Sequence, residues 1–336
     1  MSEFYNEVIK NKYLDSMENQ GSRETIKYIF IASKRAEEIK GMDMYNFSKE
    51  DIEHVMDNLT MKSYHTARAN MSYISNYITW CIKQGYRENN LNPLDTVDRK
   101  WYSKFVDRTL KIHFSDEEME DLIEEFDNAQ DQAMVQLWYE GAVGTKDFAE
   151  IKNLTYYDID WNNNELELKD SDGSKRKIKV SDRCMRYLQN AHRQQIYINF
   201  SIKDGEAVET ERELMPSDYI FKNVQSFRTK DAGISTNVIY KRLHALKEKF
   251  NLEYLTPNAV KQSGILHMCY LLFMRDGELG KKQFNEVGDQ YKWSKISNQG
   301  YEYYNVTLLK YFVTKENLKE LYDIDVDIDI REVKRK

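Results

Sequence analysis

A mainly α-helical chain in two domains, the second carrying a small β-hairpin or sheet, is what three features of this 336-residue sequence predict. Apolar residues recur at helical spacing behind capping residues through most of the chain. A stop at Asn92-Pro93, followed by a basic stretch, separates an N-terminal helical block from the rest. One short region, 165–180, instead alternates apolar and charged residues, as a half-buried strand pair does. The length gives each of two domains enough chain for its own core. Three prolines and 13 glycines leave little material for long flexible linkers.

Residues 1–20 read as an N-terminal helical segment and 21–98 as a helical domain. In that domain Ile26, Ile29, Phe30 and Ser33 mark one face. Ser48 with Asp51 resembles a capping box ahead of Ile52, Val55, Met56 and Leu59. Ser63 caps a helix in which Ala67, Met71, Ile74, Ile78 and Cys81 repeat, and Gly85 ends it. Residues 99–114, with Arg99, Lys100, Lys104, Arg108 and Lys111, show no apolar period and read as a basic linker.

A second domain, 115–322, opens on a capping box of Ser115 and Glu118, with Met119, Leu122, Ile123 and Phe126 facing inward. Thr145 caps a helix running to Leu154. Tyr157-Asp158-Ile159-Asp160 leads into strands at 165–169 and 175–180, joined by a turn. Residues 200–215 read as a polar surface loop, 219–221 as a strand and 237–250 as a basic helix. Thr256 is an N-cap and Pro257 suits the first helical position of a helix burying Ile265, Met268 and Leu272. The tail, 323–336, alternates Asp with Ile or Val at its start and reads as an exposed edge strand. Its Asp325-x-Asp327-x-Asp329 run lacks the glycine and distal glutamate of a calcium loop.

Composition excludes several classes. Hydrophobic content of 41% and charged content of 31% fit a soluble globular protein. The opening residues are charged throughout, and the longest apolar stretch, 266–274, is too short for a bilayer, so no membrane partner is expected. Cys81, Cys184 and Cys269 are scattered among apolar neighbours, as buried thiols of a reducing cytoplasm are. Six histidines show no metal-ligand spacing, and no phosphate-binding glycine loop occurs, so no metal or cofactor is expected. A net charge of −7 disfavours nucleic acid overall, but a DNA footprint is local.

The run Thr256-Pro257-Asn258-Ala259-Val260-Lys261-Gln262-Ser263 resembles the Thr-Pro, His-x-x-Arg, Ser/Thr box of tyrosine recombinases (phage integrases). Asn258 stands in the histidine slot and Lys261 in the arginine slot. The order of helical block, Asn-Pro stop, basic linker, capped helix, aspartate turn and hairpin extends the resemblance over roughly residues 21–312. It implies a core-binding domain at 21–98, a catalytic-like domain at 115–322, and a linker lying along DNA phosphates. Family members cut DNA by attack of a tyrosine on a phosphate held by two arginines, with a hairpin lysine as acid and a late His or Trp in support.

The resemblance also implies that the reaction centre is degenerate. The first arginine slot falls at Asp147 or Val143, and no arginine occurs between Arg108 and Arg176. The second falls at Lys261, and none occurs between Arg242 and Arg275. An aspartate repels a phosphate, and lysine cannot supply a bidentate fork. Lys169 and Lys175 are stand-ins for the hairpin lysine, and Trp293 for the late His/Trp. Tyr301, Tyr303 and Tyr304 lie near the nucleophile slot without its usual spacing. Catalytic inactivity is the expectation.

Charge locates the DNA-facing candidates. Residues 169–186 hold seven basic side chains against three acidic ones, net +4 in an acidic chain. Charge alone leaves Lys175, Arg176, Lys177 and Lys179 equally open to DNA contact and to a lysine-protected solvated hairpin edge, and the resemblance tips them toward DNA. Lys62, His65 and Arg68 at one helix start, Lys241 and Arg242 in the basic helix, and Asn258 with Lys261 complete the set. The resemblance implies a sequence-specific binder of double-stranded DNA operators, cytoplasmic and nucleoid-associated in a bacterial host. Among degenerate members, it is similar to the integrase-fold lysogeny repressors of SPβ-type Bacillus prophages. The alternatives are an atypical recombinase and an accessory protein-interaction factor with weak DNA affinity. Self-association through the tail is a further expectation.

Overall fold

Local caps set most of the element boundaries. The computed structural model describes residues 3–61, 64–87, 89–107, 111–144, 146–227, 231–298 and 301–328. It divides into two units, Met1–Arg108 and Thr109–Lys336.

The first unit holds α1 (Glu7–Asp15), α2 (Gln20–Lys40), α3 (Lys49–Asp57), α4 (Tyr64–Lys83) and α5 (Arg99–Ser103). Asn19 caps α2 through the Ser22 N–H, and Gly41 closes it at φ 64°. The Ser48–Asp51 capping box opens α3 as expected, whereas the Ser63 cap falls outside the described residues. Ile26, Ile29 and Phe30 meet Ile52, Val55 and Met56, together with Ala67, Ile74, Ile78 and Cys81, in one core. The lead-in joins that core: Phe4, Tyr13 and Leu14 are buried, and Lys10 reaches Glu37 at 2.5 Å with both side chains wholly enclosed.

The basic stretch departs from a bare linker. Trp101 and Tyr102 are buried in the first unit, and the Trp101 indole donates to Glu53 at 2.7 Å. The Asp107 N–H reaches the Met61 carbonyl. Aromatic side chains anchor this segment, which a search for aliphatic periodicity overlooks; Lys100 and Lys104 stay at the surface, whereas Lys111 is buried on Glu118 at 2.6 Å.

The second unit starts with α6 (Asp116–Glu124) behind the Ser115–Glu118 capping box. It continues through α7 (Ala129–Tyr139), α8 (Ala149–Lys152), β1 (Ile159–Asp160), β2 (Glu165–Lys169), β3 (Lys175–Lys179) and α9 (Asp182–Arg193). The three strands form one antiparallel sheet in chain order, with Leu166 opposite Ile178 and Glu167 opposite Lys177. Helix α8 is shorter than expected because Asp147 and Phe148 both take left-handed conformations at φ 54°. Thr145 lies outside the described residues.

The polar stretch 200–215 is a ribbon and not a loop. It consists of β4 (Ile196–Lys203) paired with β5 (Glu206–Glu213). Ile196, Ile198, Phe200 and Ile202 alternate along β4, but glutamates face three of them across the pair and mask the pattern. The remaining elements are α10 (Thr236–Phe250), α11 (Pro257–Asp276), α12 (Lys281–Gln290), β6 (Lys295–Asn298), β7 (Tyr301–Tyr304) and α13 (Lys315–Tyr322).

α11 is the axis of this unit. Its Gly264 lies so close to α7 that an added Cβ would sit 1.7 Å from the Tyr139 carbonyl oxygen. The start of the tail also departs from expectation: Val326 is buried, Ile328 bridges to Leu279, and Lys315 holds Asp325 at 2.5 Å. Its apolar alternation is spent on its own domain. Among the described residues, no helix is long and apolar enough to cross a membrane.

Candidate nucleic-acid interface

The site is built at the head of α11. The Thr256 hydroxyl accepts the Ala259 N–H at 3.1 Å, and Pro257 occupies the first turn as expected. Asn258 is exposed there, and Lys261 is half-buried one turn further on. The Lys261 ammonium sits 5.3 Å from the centre of the Trp293 ring. Trp293 is itself fixed by an indole N–H to the Asn305 carbonyl at 2.7 Å. Among the described residues, no hydrogen bond or ion pair engages the Lys261 ammonium. Burial, and then the positive Arg176 nearby, pull its pKa down to about 8, with Glu150 acting in the opposite direction.

Arg176 fills the space beside it, and this corrects its assignment to DNA. On β3 it shares a face with the buried Ile178, and its guanidinium enters the domain. It forks onto Glu150 at 2.7 and 2.8 Å and donates to the Gln290 and Gly141 carbonyls, each at 2.7 Å. Glu150 is wholly enclosed and also accepts the Val143 and Gly144 N–H groups. An arginine has thus reached the centre from the hairpin, but its fork is occupied by the protein. Beside it Lys292 holds the buried Asp170 at 2.6 Å.

The hairpin surface is also less positive than its sequence. Lys175 pairs with Glu167 at 2.8 Å and Lys177 with Glu165 at 2.7 Å, diagonally across the strands. Lys169 pairs with Asp158, so it is no open stand-in for a catalytic acid. Arg183, part of the same positive count, is held by Asp116 and Glu120. Lys179 remains exposed. Chain neighbours supplied the positive count, whereas strand register supplies the counter-charges.

The other candidates fall apart in space or function. Arg242 is buried against the Gln130 side chain and the Lys222 carbonyl, both at 2.9 Å, and stacks on Tyr197, so it does not face DNA. Its neighbour Lys241 is exposed, as is Arg68 on α4. Lys62 and the His65 side chain lie outside the described residues. Asp147 is exposed, and its carbonyl accepts from the Thr236 hydroxyl at 3.2 Å. Tyr304 packs over Gly288 and donates to Asp289, and burial followed by that carboxylate raises its pKa to about 12. Such a hydroxyl is further from a phenolate than a free tyrosine. The Tyr303 side chain is outside the described residues.

Two groups of importance were missed by sequence reasoning. Glu150 organises the centre, and Lys292 neutralises Asp170. The strand alternation already held the signal for Arg176, since it shares parity with Ile178 and Val180. Nothing comparable marks Glu150 or Lys292, whose charged partners, Arg176 and Asp170, are more than twenty residues away.

Fold and site together define a two-domain protein: a helical core-binding domain and a catalytic-type domain with small antiparallel sheets. The chain belongs to the MrpR family: residues 4–83 match the MrpR N-terminal core-binding domain and 113–323 the MrpR C-terminal catalytic domain. It is 26% identical over 324 residues to the SPbeta prophage-derived uncharacterized protein YopR of Bacillus subtilis (strain 168), covering 95% of this chain and 96% of that one. Among solved structures it is similar to the XerA recombinase, with a TM-score of 0.41, 15% identity and coverage of 94% and 96%. It is also similar to the Tn1549 transposon integrase in complex with circular intermediate DNA, with a TM-score of 0.38, 13% identity and coverage of 93% and 97%.

Proposed function

We propose that this protein binds double-stranded operator DNA sequence-specifically without cutting it, as a phage transcriptional repressor that maintains lysogeny. The observation that carries this reading is the division of labour between Lys261 and Arg176. Lys261 offers a cation beside the helix N-terminus, where N–H groups and the helix dipole favour an anion. Among the described residues, the arginine that reaches the centre is consumed by Glu150 and two carbonyls, which leaves it no free fork to stabilise a transferring phosphoryl group. The site holds a phosphate and lacks what would activate it. The likeness to a prophage-derived protein supports the phage setting.

Gel shift against fragments of the encoding genome, run with and without a denaturing step, tests this. The expected result is a shifted band at discrete fragments that disappears completely on denaturation, together with repression of a reporter driven by those fragments. A denaturation-resistant adduct on a nicked site would establish a recombinase instead. Absence of any shift would establish the accessory, protein-binding alternative.

A further inference from the structure

A cleft of about 640 Å³ opens where the C-terminus of α9 meets the base of the β4–β5 ribbon, and it shares no residue with the phosphate site. Lys222 lines it, almost wholly buried. Its ammonium donates to the His192 carbonyl at 2.5 Å and the Gln194 carbonyl at 3.1 Å. Among the described residues, no carboxylate pairs with it, and burial alone pushes its pKa below the usual lysine value. Two of its three N–H groups are therefore used, and its charge is answered only by the open carbonyls ending a helix.

The surrounding wall has the same incompleteness. The His192 Nδ1 and Ser217 Oγ atoms are both buried, and neither has a hydrogen-bond partner among the described residues. Burial and then the Lys222 charge lower the His192 pKa, against the Tyr219 backbone and Asp218, and the Tyr156 ring lies 4.8 Å from the imidazole. Buried polar atoms are nearly always paired in a native structure, and two orphans beside an uncompensated ammonium in one hollow point to an absent occupant. Leu214, Met215 and Pro216 supply an apolar side, and the volume matches a small-molecule site.

We infer that this cleft binds a small organic monocarboxylate, with its carboxylate on Lys222 and its hydrogen-bonding groups on His192 and Ser217. The negative end of α9 already takes part of the Lys222 charge, and Glu213 stands on the same lining. Arg193 stands on that lining too and offsets Glu213, which leaves the single Lys222 charge to be met by one carboxylate.

The full chain, labelled with ¹³C at methionine methyls, tests this by titration with N-acetylglycine, its uncharged amide N-acetylglycinamide, and inorganic phosphate. Met215 is the reporter, assigned through Met215→Leu. The expected result is a saturable Met215 shift with N-acetylglycine and none with the other two. Binding should weaken about tenfold in Lys222→Met, the loss of one charged hydrogen bond. Because Lys222→Met also removes a cap from α9, Ser217→Ala serves as the second variant: it removes only an unpartnered hydroxyl, and should weaken binding while leaving the thermal midpoint unchanged. No saturable shift with N-acetylglycine, an equal response to the amide, a response to phosphate alone, or unchanged affinity in both variants overturns the assignment.

Discussion

Lys261 is retained where its surroundings oppose its charge. In the folded chain its pKa lies near 8, against 10.5 for an ordinary lysine, mainly through burial. Between those values the unfolded state binds more protons, so stability rises with pH across that window, and below it the buried charge is a net cost. Lys261→Met should therefore stabilise the protein by about 1–2 kcal/mol near pH 7, the behaviour of a side chain kept for function. The same variant should bind DNA more weakly whatever its sequence, with a salt slope shallower by about one. In the unsubstituted protein, affinity should fall as pH rises above 8, at a higher value the more a bound phosphate holds the proton. Thermal unfolding and salt-dependent gel shifts read both effects. Lost stability with an unchanged slope would make Lys261 a core cation and nothing more. At this scale the sequence was legible for Lys261, whose helix start is local. It was not legible for Arg242, whose partners Gln130 and Lys222 are remote in the chain.

At the scale of elements, the capped helices were readable because a cap is settled within four residues, as at Ser48, Ser115 and Thr256. The β4–β5 ribbon was not, because its acidic strand dilutes the apolar alternation of its partner. The β6–β7 pair, which carries Tyr301–Tyr304, has no apolar alternation at all. The main sheet was readable in position and misleading in charge. Register brings Glu165 and Glu167 beside Lys177 and Lys175, and parity sends Arg176 inward. Arg176 is then a structural clamp joining β3 to α8 and to the end of α12. Arg176→Ala would leave the enclosed Glu150 carboxylate without its cation, at a cost of about 3–5 kcal/mol. Arg176→Lys should recover little, since one ammonium cannot satisfy Glu150 and two carbonyls together. Urea denaturation measures this. Intact stability together with lost DNA binding in Arg176→Ala would return the residue to the DNA-facing set.

For the whole molecule, the acidic balance is unevenly distributed. Met1–Arg108 contains sixteen basic and sixteen acidic residues, so the net −7 of the chain belongs entirely to the second unit. On the proposed DNA-binding reading the first unit would face no global repulsion from DNA, and its own charge problem is internal. Lys10, Glu37 and Asp43 form a buried group with two carboxylates for one ammonium. Burial raises Glu37 to about 7, Lys10 opposes that rise, and Asp43 adds to it; Asp43 is raised as well, again mainly by burial. The folded chain then binds more protons than the unfolded one between the ordinary glutamate value of 4.5 and about 7, so this group loses stability as pH rises through that window. The direction is opposite to that of paired surface carboxylates such as Asp51, whose pKa is lowered. Glu37→Gln keeps an oxygen for the Met44 N–H, which Glu37 accepts at 2.7 Å, and removes the second negative charge. It should flatten the fall in stability between pH 5 and 7.5, measured as urea midpoints across that range. A slope equal to that of the unsubstituted protein would show that Glu37 is not the group whose titration sets the fall. A flattened slope would mean that α1 is held to α2 by a charge-frustrated contact, strongest in mild acid, so that docking of the lead-in helix weakens as the medium becomes alkaline.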